Sequence, residues 1–468
     1  MVPLVLALIG AATTIAAEPS DTLFGQPRTI APPLDEATIE ARREAFDAAI
    51  DELGWVRAGD MIAPAERFAA EPPPGFPALE AGWEDPPHRT TIYLNFLGGE
   101  LKHGTNASEN QSNCIMGTVQ YPAYVGTEAK ALAAIQVFET KLAPYGVRVA
   151  WEKRPPKELP YSMVMMGGKP QDIGMGAGTL GVSCSSDCGD QWWRDTTLAF
   201  TGAASQATTI AYTALQEAAH AMGLDHIDGS ANIMYPYATS GDKVWANGCT
   251  KFNDATGPIG CTYVHKVFCP DEMSQDDHAE LTAFFGPNSP DEEAPIVNIT
   301  EPADGAELAS GETIVVKADI TDNFEGAGWK IMVYQDGNLL ADNPAYKFEK
   351  AWTLSSLPDG VYLIKISAVD HDLNTAEDQV TVYLGQSGPD TGAGTGGTDS
   401  GAGTDSGAGT GGTDSGVATG GVTATATDSA TGGMMTEEEG CACAVDTRPL
   451  PLGLGLLVLM ALGRRRRD

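Results

Sequence analysis

Residues 216–226 read Gln-Glu-Ala-Ala-His-Ala-Met-Gly-Leu-Asp-His, and Ile233-Met234-Tyr235-Pro236-Tyr237 follows shortly after. Side chains four apart lie one above the other on a helix face, so positions 216 and 220 can reach a single ion. Glu217 lies beside them, placed to take a proton from a water. Gly223 tolerates the left-handed conformation that ends a helix, and the turn it allows can bring His226 back toward His220. Met234 supplies a soft apolar floor beneath such a group. A catalytic zinc needs three protein ligands and one open position, and this stretch is spaced to provide them.

The pattern resembles the metzincin signature HExxHxxGxxH with its downstream Met-turn, most closely that of the matrixins, which continue Gly-Leu-x-His and Met-Tyr-Pro. The resemblance covers roughly residues 88–287. It implies zinc on the residues matching His220 and His226, Glu217 as general base, and Met234 in the turn. One position departs from it: Gln216 stands where the first zinc-binding histidine belongs. An amide oxygen is a poorer zinc ligand than an imidazole. Three readings follow. Gln216 completes a weakened site, the site is lost, or another ligand such as Asp225, Tyr235 or His265 is recruited. The function implied is a secreted or surface-displayed zinc-dependent endopeptidase hydrolysing peptide bonds through a metal-activated water. The alternative is a catalytically inactive surface binding or adhesion protein with the same fold.

Both ends of the chain point outside the cytoplasm. Leu4 to Ala12 is an apolar run followed by Ala16-Ala17 and then Glu18, which reads as a signal peptide over 1–17, although no Lys or Arg precedes it. At the other end, Cys441-Ala-Cys443 precedes an apolar stretch from Pro449 to Gly463 and the cluster Arg464 to Arg467. The stretch is shorter than the roughly 20 residues that span a bilayer as a helix. The arrangement over 441–468 resembles the MYXO-CTERM sorting signal, which implies display or release at a bacterial cell envelope. A plain C-terminal anchor is the other reading. Six of the eight cysteines, Cys114, Cys184, Cys188, Cys249, Cys261 and Cys269, lie within 88–287. An even count in an exported chain predicts disulfides. Cys184 and Cys188 are close enough to close a small loop, and Cys249, Cys261 and Cys269 leave several pairings open.

A formal net charge of −35 repels phosphate backbones and excludes nucleic acid as a partner. Calcium is compatible with that acidity, but no EF-hand spacing is present. The expected partners are a protein or peptide substrate and, through the C-terminal signal, the envelope.

Composition divides the rest. Residues 18–87 read as a propeptide or spacer, with a helix from Glu36 to Leu53 presenting Ile39, Phe46, Ile50 and Leu53, then a Pro-rich stretch. There is no cysteine before Cys114, so the cysteine-based latency of many matrixins is absent. Within 88–287, strands are expected at 90–96, 147–151, 161–166 and 197–200. Helices are expected over 128–143, with Leu132, Ile135, Phe138 and Leu142 on one face, and over 207–222. A last helix runs to Phe285, capped by Ser274, with Asp276 and Asp277 in its first turn. This order supports an α+β domain. Residues 293–385 alternate in short runs broken by Asp336-Gly337 and Asp359-Gly360, which predicts an all-β Ig-like sandwich. Residues 386–440 are rich in Gly, Thr, Ser, Ala and Asp, cannot build a core, and read as a disordered tether spanning on the order of 40 Å.

Overall fold

The computed structural model describes residues 21–64 and 87–388, apart from 185–187, 191–192, 203, 205, 257–259, 272 and 346–350. The expected signal peptide, the C-terminal signal and all but the first three residues of the tether lie outside the described residues. Among the described residues, no helix is long and apolar enough to cross a membrane.

The chain opens with a short hairpin, β1 (Thr22–Leu23) and β2 (Gln26–Pro27), then α1 (Glu36–Leu53) and a second hairpin, β3 (Trp55–Ala58) and β4 (Met61–Pro64). Asp35 caps α1 by accepting from Thr38 N, and Gly54 closes it in the left-handed region. Next come β5 (Thr90–Asn95), the hairpin β6 (Gly99–Lys102) and β7 (Thr118–Tyr121), and α2 (Glu128–Leu142). β8 (Val147–Ala150), β9 (Ser162–Gly167), β10 (Gly181–Val182), β11 (Thr196–Phe200) and α3 (Ala207–Met222) follow. β12 (Thr250–Lys251), α4 (Thr262–Phe268), β13 (Ser274–Gln275) and α5 (Asp277–Phe285) complete this part.

Five strands form one sheet in the order β10-β11-β9-β5-β8, parallel except for the edge strand β10. β5 and β9 are buried at every residue, as expected of parallel strands covered on both faces. On one face Ile92, Leu94, Val164 and Met166 meet Ile135 and Phe138 of α2 and Ile210, Leu215 and Ala218 of α3. On the other, Tyr93, Met163, Met165, Leu198 and Phe200 meet Phe46 and Ile50 of α1 and Ile62 of β4. The N-terminal segment therefore closes one side of the sheet.

Two expected helix contacts do not form. Leu53 and Leu132 are exposed, because the buried stripes run through Phe46 and Ile50 in α1 and through Ala131, Ala134, Ile135, Phe138 and Leu142 in α2. The last helix is capped by Asp276, which accepts from Ala279 N, rather than by Ser274. Ser274 and Gln275 pair instead with Lys251 and Thr250.

All six cysteines of this region are paired, as Cys114–Cys184, Cys188–Cys261 and Cys249–Cys269. The small Cys184–Cys188 loop is not formed. Cys184 leaves β10 toward the face that holds Cys114, whereas Cys188 lies in the opposite core with Cys261. Non-reducing peptide mapping of the purified chain should recover these three pairs and no free thiol among them. A Cys184–Cys188 peptide or two free thiols would contradict the fold.

Residues 296–384 form two further sheets. β14 (Ile296–Glu301), β16 (Ile314–Thr321) and β19 (Ala351–Leu354) make one. β15 (Ala306–Leu308), β17 (Gly328–Gln335), β18 (Asn338–Ala345), β20 (Gly360–Val369) and β21 (Thr375–Leu384) make the other. Strict alternation in β16 sends Ile314, Val316, Ala318 and Ile320 inward against Trp329, Ile331, Ile364 and Val382. Asp336 and Gly337 join β17 to β18 with φ of 50° and 80°, the positive angles a two-residue hairpin needs. Asp359-Gly360 makes no such hairpin, because β19 and β20 belong to different sheets. The sandwich is docked on the preceding part: Arg89 lies over the Phe324 ring, and Thr91 Oγ1 meets His371 Nδ1 at 2.8 Å.

Candidate metal and active site

α3 is rich in alanine, the strongest helix former, and is buried from Ala214 to Met222. It ends at Gly223, whose φ is 106° and whose N–H donates to the Ala219 and His220 carbonyls. A Cβ at Gly223 would sit 2.8 Å from Cys188 Cα and 3.1 Å from Cys261 Sγ, so the Cys188–Cys261 bridge packs directly on the turn. Both the backbone angle and the space demand glycine here.

The turn carries the chain back so that Leu224 O lies 2.7 Å from His220 Nδ1. With Nδ1 donating to that carbonyl, the Nε2 lone pair of His220 is free. Nε2 of His226 comes to 3.0 Å from it. Both imidazoles are fully buried. Burial, and then the neighbouring His226, lower the His220 pKa to about 4, which keeps the ring neutral. Met234 is fully buried, and its carbonyl accepts from Ile227 N, which ties the Met234 loop to the His226 loop. Lys243 braces the same loop by donating to Ser230 O and Thr239 Oγ1.

Glu217 is fully buried, and neither carboxylate oxygen meets a hydrogen-bond donor. Burial first, and the adjacent Asp60 carboxylate second, hold its pKa well above the usual range. It fits only because residue 181 of β10 is glycine: a Cβ there would lie 2.5 Å from Glu217 Oε1. Gln216 lies one residue earlier, nearly buried, with an amide nitrogen that has no partner. Gln216, Glu217, His226 and Tyr235 line one cavity of about 890 Å³, together with Ala177 to Leu180 from the segment leading into β10.

The residues offered from sequence as substitute ligands separate. Asp225 turns away from the two imidazoles and accepts from Gly260 N. His265 sits between Glu280, at 2.9 Å, and Asp225, at 3.7 Å. Burial alone would lower the His265 pKa, but the Glu280 and Asp225 carboxylates hold it up to about 10. These three form a buried ionic network that supports the loop from behind. Tyr235 lines the cavity, with its ring against Tyr237.

A residue that no sequence pattern pointed to stands in their place. Asp60 Oδ1 lies 3.1 Å from His226 Nε2 and 3.6 Å from His220 Nε2. That oxygen is buried. Three ligand atoms around one tetrahedral zinc, each at 2.0–2.1 Å, stand about 3.3 Å apart. The observed separations of 3.0, 3.1 and 3.6 Å bracket that value, so the trio fits the ion. A second acidic trio, Asp291, Asp322 and Asp370, lies where the sandwich begins. There burial, with Asp370 and Asp291, pushes Asp322 up to about 7.

Residues 295–366 match the family described as bacterial Ig domain. A search of curated proteins finds no match. Among solved structures, the chain is similar to fibronectin(III)-like modules of Clostridium thermocellum CbhA (20% identity, 19% of this chain and 94% of that one, TM-score 0.16). It is also similar to CopC from Methylosinus trichosporium OB3b (15% identity, 19% and 91%, TM-score 0.15). A third is the PKD domain from human VPS10 domain-containing receptor SorCS2 (19% identity, 21% and 77%, TM-score 0.16). At these values none bears on function. The bacterial Ig domain and the disulfides are consistent with an extracellular or surface protein.

Proposed function

We propose that the chain is a zinc-dependent endopeptidase of the metzincin type, closest to the matrixins, acting outside the cell. The observation that carries this reading is the convergence of two imidazole nitrogens 3.0 Å apart, with His226 and the buried Glu217 lining a cavity of about 890 Å³. Zinc bound there would polarise a peptide carbonyl and acidify a water molecule. His220 and His226 would hold the ion, the first oriented by the Leu224 carbonyl. Glu217 takes the proton from the attacking water and passes it to the leaving amine. Its raised pKa, set by burial and by Asp60, suits a group that must both accept and return a proton. Ala177 to Leu180 run beside the cavity at the sheet's edge, where an extended peptide can add as a further strand.

Export through the N-terminal signal and envelope sorting through 441–468 complete the reading, with the sandwich as a spacer or surface-binding module. Gln216 in place of an imidazole favours the alternative, a non-catalytic surface protein that binds peptides with the same cleft.

The test is metal analysis and proteolysis with the same purified full chain. About one zinc per chain and cleavage of a denatured protein substrate are expected. A chelator should remove the cleavage, and stoichiometric zinc should restore it. Bound zinc with no cleavage of any peptide library member would select the non-catalytic reading, and the absence of zinc would dismiss the metal reading.

A further inference from the structure

We infer that Asp60 is the resident third metal ligand of this site, replacing the imidazole that Gln216 does not supply. The inference rests on the zinc reading of the same residues. It assigns residues 21–64 a new role, as a permanent part of the metal centre rather than a removable propeptide.

Three observations carry it. The first is how the carboxylate is delivered. Asp60 and Gly59 form the two-residue tip of the β3–β4 hairpin, in which Ala58 pairs with Met61. Gly59 has a φ of 66°, and a Cβ on it would lie 3.3 Å from His226 Cε1, so a glycine at the tip lets the hairpin close on the ring. The Asp60 carbonyl accepts from Ser183 N, and Ile62 N donates to the Ser183 carbonyl. Backbone bonds on both sides thus aim the side chain.

The second is what the hairpin is anchored to. Met61, Ile62 and Ala63 are fully buried, and Ile62 and Phe46 belong to the core under Met163 and Leu198. Leu23 enters the opposite core, while Thr29 N donates to the Leu97 carbonyl and its own carbonyl accepts from Ala123 N. Removing this segment would uncover one face of the central sheet.

The third is that the hairpin leaves the site open. Asp60 forms part of the cavity wall, with about 890 Å³ of space beside it bordered by Glu217 and Tyr235. Two imidazoles and one carboxylate with an open fourth position are an established ligand set for hydrolytic zinc. A carboxylate also suits zinc far better than the Gln216 amide does.

The experiment compares the full chain with its Asp60→Asn variant, which keeps shape and volume at the hairpin tip. Zinc affinity is read by competition with a chromophoric chelator. Cobalt-substituted protein reports the ligand field, and near-ultraviolet circular dichroism with disulfide mapping confirms the fold. Outer-shell changes already cost 10–100-fold in metal affinity, so loss of a ligand should weaken zinc by at least about 100-fold and alter the cobalt spectrum. Adding Gln216→His to that variant should recover most of the affinity, because residue 216 lies one turn before His220. Zinc held within about threefold of the parent by a folded Asp60→Asn chain, with an unchanged cobalt spectrum, would overturn the inference and leave the zinc reading standing. Faster peptide cleavage by that variant would overturn it too, since Asp60 would then be a cover. A parent chain that takes up no zinc would fail at the earlier step and remove both.

Discussion

Glu217→Ala should lower peptide cleavage by roughly 10²–10⁴-fold while zinc stoichiometry stays at the parent value. The separation of the two readouts follows from geometry. His220 and His226 face one another at 3.0 Å and Asp60 completes their triangle, whereas Glu217 projects toward the Gly181 backbone and the cavity. Removing its carboxylate takes away a proton acceptor and leaves the three ligand atoms untouched. The fold should hold, because the lost group is a buried carboxylate whose oxygens meet no donor, which is a cost to stability. Glu217→Gln is the companion variant, matching the shape and lacking the basicity. Both are measured by single-turnover cleavage of a fluorogenic peptide alongside metal analysis. Undiminished turnover in either variant would dismiss Glu217 as the base, and with it the proposed chemistry.

The second large effect is on stability. His265→Leu should destabilise the chain by about 3–5 kcal/mol, the usual cost of breaking a buried ion pair from one side. The imidazolium lies 2.9 Å from Glu280 and 3.7 Å from Asp225, and all three side chains are buried. Leucine would leave two carboxylates facing each other with no cation between them. Equilibrium urea denaturation under non-reducing conditions measures the loss, and a change below about 1 kcal/mol would show that the network is not ionic. The pH dependence has a definite sign. The folded pKa of about 10 lies above the unfolded value near 6.5, so protonated His265 stabilises the fold fully below pH about 6.5. That stability is lost as pH rises from there through about 10. The gap between the parent and the leucine variant should narrow over the same range.

Much of the site could be read from local sequence, because helix and turn chemistry are local. The bounds of α3, Ala207–Met222, follow from the spacing that ends at Gly223, and the left-handed φ of that glycine is what the pattern requires. Met234 lies buried beside the turn for the same reason. Asp60 was not legible. It lies far upstream in a Gly-Asp hairpin tip with nothing locally unusual, and only the packing of α1 and β4 on the sheet brings it to the imidazoles. Asp225 and His265 misled in the opposite direction. Both have metal-binding chemistry and lie near the motif, but Asp225 spends it on His265 and the Gly260 N–H, and His265 on Asp225 and Glu280. Cys184 and Cys188 show the same limit. Closeness in sequence suggested a pair, and the two faces of the sheet drew them to Cys114 and Cys261.

The cover that α1 and β4 place over the sheet also sets a sequence of events in time. A chain that leaves the ribosome or crosses a membrane from its N-terminus presents Phe46, Ile50 and Ile62 first. The surfaces they need, Met163 on β9 and Leu198 on β11, emerge only about 100 residues or more after them. Contacts so distant along the chain form late, since the intervening loop must be closed before they repay its entropy. That segment is therefore seated only after β9 and β11 have emerged, and the cleft acquires its Asp60 wall only when the sheet behind it is complete.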